Sequence, residues 1–210
     1  MSDLLNRLGY LQTRRDRTPN LDLARDLAAR DDKAGIREIA ANMRNDNKNI
    51  HSDCMNVMYE LGRVDPNLIT PYADDFIKFL KSKHQNMAQG AITALAEVAK
   101  VNPDFIFKHL DEIKKVTETG VDMDVDKSIS ALAHTASAGG EYSKVIFPYL
   151  LQHLLFCHHK HVPERAEKML PAVNENNNLE FIKTLKKRLE SLSGSDFTRL
   201  KKIIRLAENL

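Results

Sequence analysis

The chain has no tryptophan, two cysteines in 210 residues, and no apolar run near the roughly 20 residues that a membrane-spanning helix needs. Each absence removes a class. Cys54 and Cys157 cannot found a disulfide framework, and they point to a reducing, cytoplasmic setting. Residues 1–15 carry Leu4, Leu5, Leu8 and Leu11 without a continuous apolar core, unlike a secretion signal. Residues 1–19 read instead as an arm or a capping helix. Aromatic residues make up 6% of the chain, too few to build a stacking platform for bases. No phosphate loop, paired carboxylates or nucleophile–base spacing is visible, so a non-catalytic protein without a cofactor is expected.

A dominant charge is also lacking, since the formal net charge is +2. Its distribution is uneven. Residues 59–126 hold 8 basic and 12 acidic side chains, and residues 158–210 hold 11 basic and 7 acidic. An acidic middle argues against one continuous phosphate-tracking groove, while the basic end keeps a local anionic contact open.

What is present is a repeat. Met58, Leu95, Leu132 and Met169 stand 37 residues apart, each in a similar setting. Residues 58–66 align with 95–103 position by position: Glu60 with Glu97, Arg63 with Lys100, and Asp65-Pro66 with Asn102-Pro103. Asp65 and Asn102 suit a helix N-cap, and the prolines after them suit the first helical position, where no N–H is needed. In the third copy Gly139-Gly140 takes over the turn, and in the fourth an Asn-rich stretch does. Met55, Met58, Leu61 and Val64, then Ile69, Tyr72, Phe76 and Leu80, recur at helical spacing. A short repeat cannot bury its apolar face alone, so neighbours must stack.

The spacing predicts helix pairs at 20–29 with 32–44, 48–63 with 66–82, 86–101 with 103–118, 124–138 with 140–157, and 161–174 with 178–192. A last helix is expected over 196–208. In domain terms this is a repeat array over residues 20–192, with units at about 20–44, 48–82, 86–118, 124–157 and 161–192, closed by a capping helix within 195–210.

The segment from Leu80 to Val98 resembles the inter-repeat segment of HEAT repeats: a polar turn, then a small residue (Ala91), Ala94-Leu95 and an aliphatic (Val98). Asn49 to Leu61 and Asp126 to Ala136 fit the same pattern more loosely. The resemblance implies an all-α superhelix of the HEAT-like or armadillo type, with the second helix of each pair lining a concave side and a protein or peptide as partner. The period is shorter than the roughly 40–47 residues of that class, and the tetratricopeptide pattern is absent. Some HEAT-like proteins are lyases acting on bilin chromophores, so the class does not bar catalysis.

Three sets of residues are candidate sites. Removing core positions from the second helices leaves a stripe. It holds Asp74 and Lys78 in one unit and Asp111 and Lys115 in the next. One period further it becomes Pro148, Gln152 and Leu155, beside Val145 and Tyr149. The stripe turns from charged to mostly apolar, and exposed apolar patches mark partner sites. The alternative is that neighbouring helices or a shifted register cover this face, and the exposure of Leu155 decides between the two. Lys183, Lys186, Lys187, Arg199 and Lys202 form a basic set. A solvated face explains it, and contact with a nucleic acid or an anionic surface is the alternative. His153, Cys157 and His161 carry metal-type ligands, although without the paired spacing of zinc sites. A His-rich solvated turn is the plainer reading. The acids at 122, 124 and 126 lack the Gly and Glu of a calcium loop, and they suit a helix N-terminus.

Overall fold

The computed structural model describes residues 2–14 and 16–210. The described residues form helices and turns, with no strand among them. The chain divides between Phe105 and Ile106 into two compact units.

The first unit holds α1 (Thr18–Ala29), α2 (Lys33–Asn42), α3 (Lys48–Val64), α4 (Ala73–Phe79) and α5 (Gln85–Val98). Here α1 packs on α3 and α3 on α5, while α2 lies against α3 and α4 against α5. Of the apolar positions at helical spacing, Met55, Met58, Leu61, Ile69 and Phe76 are enclosed, Tyr72 and Leu80 are half-buried, and Val64, at the end of α3, is 51% exposed. Close approach depends on small residues. A Cβ on Gly90 would sit 2.3 Å from Met55 Cγ, and one on Gly62 would sit 2.4 Å from Ile69 Cδ1. Asp65 caps as expected, accepting from the Asn67 N–H at 2.9 Å, and Asn102 accepts from the Phe105 N–H at 3.1 Å.

The N-terminal segment is a single 3-10 turn, Leu5–Arg7, and not a full helix. It is nonetheless docked. Leu5 and Leu8 are buried, Arg7 meets Asp26 at 2.6 Å, and the Tyr10 N–H donates to Asp53 Oδ2 at 2.7 Å. Buried Asn20 ties the segment to α3 by accepting from the Gly9 N–H at 3.0 Å and donating to Asp53 at 2.8 Å. In the basic stretch at 14–17, Arg15 lies outside the described residues, Arg14 pairs with Asp16, and Arg17 donates to the Tyr59 hydroxyl.

Two second helices depart from expectation. Residues 66–82 form two 3-10 turns, Pro66–Leu68 and Thr70–Tyr72, before α4 begins. Pro71 suits this break, since a proline inside a helix removes a donor and clashes with the preceding turn, but it is not required, because the next copy breaks without one. Residues 103–118 break at His109 into α6 (Pro103–Lys108) and α7 (Leu110–Thr119). His109 takes φ −108° and ψ 29°, and Tyr72, one period earlier, takes φ −107° and ψ 9°. The bend therefore recurs at one repeat position, with a proline beside it only in the first copy.

The second unit continues with α8 (Asp122–Ser137), α9 (Gly140–Phe156), α10 (Val162–Met169), α11 (Asn178–Leu189) and α12 (Gly194–Ala207). In this unit α8, α10 and α12 pack in succession, while α7 and α9 lie against α8, and α11 lies against α9 and α12. Gly139 and Gly140 both have positive φ, 81° and 55°, so the α8–α9 turn needs glycine where the earlier copies use Asx-Pro. No helix of the described residues is long and apolar enough to cross a membrane.

Candidate functional site

Helix α9 positions the most distinctive surface. Ile146, Phe147, Leu150, Leu151 and Leu154 face inward. The opposite side shows Val145, Pro148 and Gln152 to solvent, and then Phe156, which is 74% exposed. These four positions recur every three or four residues and so share one helical face. Tyr149 is half-buried, with its hydroxyl 3.5 Å from the Lys114 carbonyl and the Lys114 ammonium 4.8 Å from its ring centroid. Burial raises its phenol pKa.

Leu155, the last position of the expected stripe, is half-buried, and the stripe ends at Phe156 instead. The i+4 step from Gln152 gives Phe156, whereas a shift by the 37-residue period falls one residue short, on Leu155. Arg188 of α11 fixes this end of the helix. Its guanidinium donates to the Leu155 and Cys157 carbonyls, each at 2.7 Å. Those two residues flank Phe156, so the exposed ring is carried by a clamped backbone.

Beside this face lies an open cleft of about 560 Å³, lined in part by Glu118, Asp122, Tyr149, Gln152 and Phe156. Its floor is the buried guanidinium of Arg165, 5% exposed. Arg165 Nε donates to Asp126 Oδ1 at 3.1 Å, and Nη2 is 3.5 Å from Asp122 Oδ1. Nη1 is 3.1 Å from His153 Nε2. Burial, and secondarily the Arg165 charge, push the His153 pKa down to about 4. That imidazole is therefore neutral near pH 7, with Nε2 accepting from the guanidinium.

The three metal-type residues are not brought together as a ligand set. His153 faces Arg165, the Cys157 thiol donates to the Leu154 carbonyl at 3.5 Å, and His161 Nε2 is 3.1 Å from Asp122. Among the described residues no group of three or more His, Cys, Asp or Glu side chains is arranged to hold a metal. A buried arginine in their midst repels a cation, which is the physical reason. Burial also raises the Cys157 thiol, and it pushes Cys54 up to about 12, so both favour the thiol form near neutral pH. Asp122 and Asp124 open α8, and Asp126 holds Arg165.

Of the charged stripe, Asp74 and Lys78 are exposed on α4, with Lys78 3.4 Å from Asp75. Asp111 and Lys115 are exposed on α7. The basic set is partly neutralised. Arg199 makes a two-pronged contact with Glu167, which lowers the Glu167 carboxyl pKa, and Lys186 lies 3.7 Å from Glu208. Lys183, Lys187 and Lys202 remain exposed.

No protein-family model and no curated protein matches this chain. Solved structures do. An engineered protein covers 100% of the chain with 98% of its own length, at a TM-score of 0.63 and 18% identity. A designed armadillo repeat protein, in complex with the peptide (KR)4, covers 99% with 99%, at a TM-score of 0.63 and 13% identity. A second designed armadillo repeat protein covers 96% with 97%, at a TM-score of 0.59 and 12% identity. The chain thus has an all-α, armadillo-like repeat fold, as the resemblance of its inter-repeat segment implied.

Proposed function

We propose that this protein is a non-catalytic binding scaffold that holds a protein or peptide segment against α9 and the adjoining cleft of the second unit. The observation that carries this reading is the exposed face of Val145, Pro148, Gln152 and Phe156, ending in an aromatic ring whose backbone is clamped. An exposed aromatic on a rigid support is the usual anchor of a protein interface, because it buries much area at little entropic cost. The floor of the cleft supports a binding role over a chemical one. Arg165 already has three partners, and His153 is neutral and engaged, so neither is poised to attack or to relay a proton. The repeat units at about 20–44, 48–82, 86–118, 124–157 and 161–192, with a capping helix after 195, form the frame. The peptide held by the designed armadillo neighbour makes a peptide ligand a natural candidate. Two unpaired thiols suit a cytoplasmic location.

The experiment is site-directed photo-crosslinking. A benzophenone residue at Gln152 is expected to capture a protein that the same probe at Lys201, on α12, does not. Phe156→Ala is expected to abolish the capture while far-UV circular dichroism stays unchanged. Equal capture at both positions, or capture indifferent to Phe156, overturns the reading.

A further inference from the structure

A second surface lies on α11, on residues separate from those above. The inward face of this helix, with Phe181 and Leu185, packs toward the second unit's core, and Ile182, 7% exposed, lies at its edge. Its outer side forms an open depression of about 470 Å³, lined by Leu179, Ile182, Lys183, Lys186, Lys187 and Glu190. Leu179 is 78% exposed. Lys186 and Lys187 sit in the last helical turn, where cations complement the helix dipole, and this accounts for their presence. It does not account for Lys183 in mid-helix or for an open leucine in the first turn. Lys183 and Lys187, one turn apart, form no ion pair among the described residues, while Lys186 shares Glu208 at 3.7 Å.

We infer that this depression docks an acidic amphipathic segment of a partner protein, with an apolar side chain covering Leu179 and carboxylates meeting Lys183 and Lys187. The carboxylates of Glu180, in the first turn of α11, and Glu190, just past its end, are both exposed and oppose a phosphate backbone or an anionic bilayer. No aromatic lines the depression to stack a base. One exposed leucine is also too little apolar area to seat a helix in a membrane. A polypeptide can place its acids to meet the two lysines and avoid the two glutamates, which a uniform polyanion cannot.

The test is selection from a random-peptide display library on the full chain, followed by fluorescence anisotropy of the enriched peptides. The expected peptides carry Asp or Glu three or four residues apart beside a large apolar residue. Lys183→Glu with Lys187→Glu is expected to weaken them by about tenfold, from two reversed surface charges. Exchanging the peptide acids for lysine is expected to restore binding to that double variant, which also shows that the variant is folded. Phe156→Ala leaves this binding intact, so failure here is distinct from failure of the α9 reading. Enriched peptides without acidic residues, or with affinity unmoved by the charge reversal, overturn the inference. So does an empty selection, or binding only to poly-uridine or to phosphatidylserine vesicles.

Discussion

Arg165 and Asp126 allow the sharpest test of how the second unit is held. The Arg165 side chain is 6% exposed, Asp126 is 18% exposed and Asp122 is 60% exposed. Removing one partner of a fully buried ion pair costs about 3–5 kcal/mol, because the other charge is stranded. Asp126→Ala strands the more buried partner. Asp122 remains 3.5 Å from the guanidinium and offsets part of the loss. We expect about 2 kcal/mol, or about 4–8 °C in Tm for a chain of this size. Arg165→Met removes the buried charge itself, leaving carboxylates that water can reach and one His153 ring nitrogen without its donor. Its expected cost is about 1 kcal/mol. The double variant should then resemble Arg165→Met alone, giving a coupling of about 1–2 kcal/mol. Urea unfolding followed by circular dichroism and by tyrosine fluorescence measures this and checks whether the two compact units melt together. Equal costs for the single variants with an additive double variant would refute the assignment of Arg165 as the stranded charge.

Three further outcomes follow from the same geometry. His153 has a folded pKa of about 4 against an ordinary value of 6.5, so its stabilising effect is complete above 6.5 and fades as pH falls toward 4. His153→Gln should flatten the stability–pH slope in that window, and in Arg165→Met the ring pKa, read by NMR, should rise yet stay below 6.5, because burial is the larger cause. Arg188→Met removes two charge-assisted bonds to the Leu155 and Cys157 carbonyls, at about 1.5–3 kcal/mol, and should speed amide exchange at the end of α9. Unchanged exchange there would show that the clamp is not needed. Gly90→Ala forces Met55 aside and should cost about 1–3 kcal/mol by urea unfolding, and a neutral result would show that the α3–α5 contact has slack.

The helices were legible because their causes are local. Apolar side chains recur every three or four residues, and Asp65, Asn102, Pro66 and Pro103 mark helix starts through bonds that reach only a few residues along the chain. The 37-residue period carried the repeat fold, since a face that recurs at fixed intervals must be covered by its neighbour. The bend at His109 was not legible, having no proline or glycine to signal it. The candidate site was legible as a helix face but not in its endpoint or its floor. Val145, Pro148 and Gln152 followed from spacing. Phe156 emerged from the phase of one helix, and Arg188 from a contact 33 residues away in sequence.

Arg165 shows the divide most clearly. In sequence it is one cation in a basic segment; in the fold it is a buried charge held by acids 39 and 43 residues earlier. By itself, then, the sequence determined which stretches are mostly helical and that they stack, but not the breaks at Tyr72 and His109. Tertiary structure decided which charges are spent inside the protein and which side chains are left facing water. Pairing and exposure depend on the distance between elements far apart in the chain, and no local pattern encodes that distance.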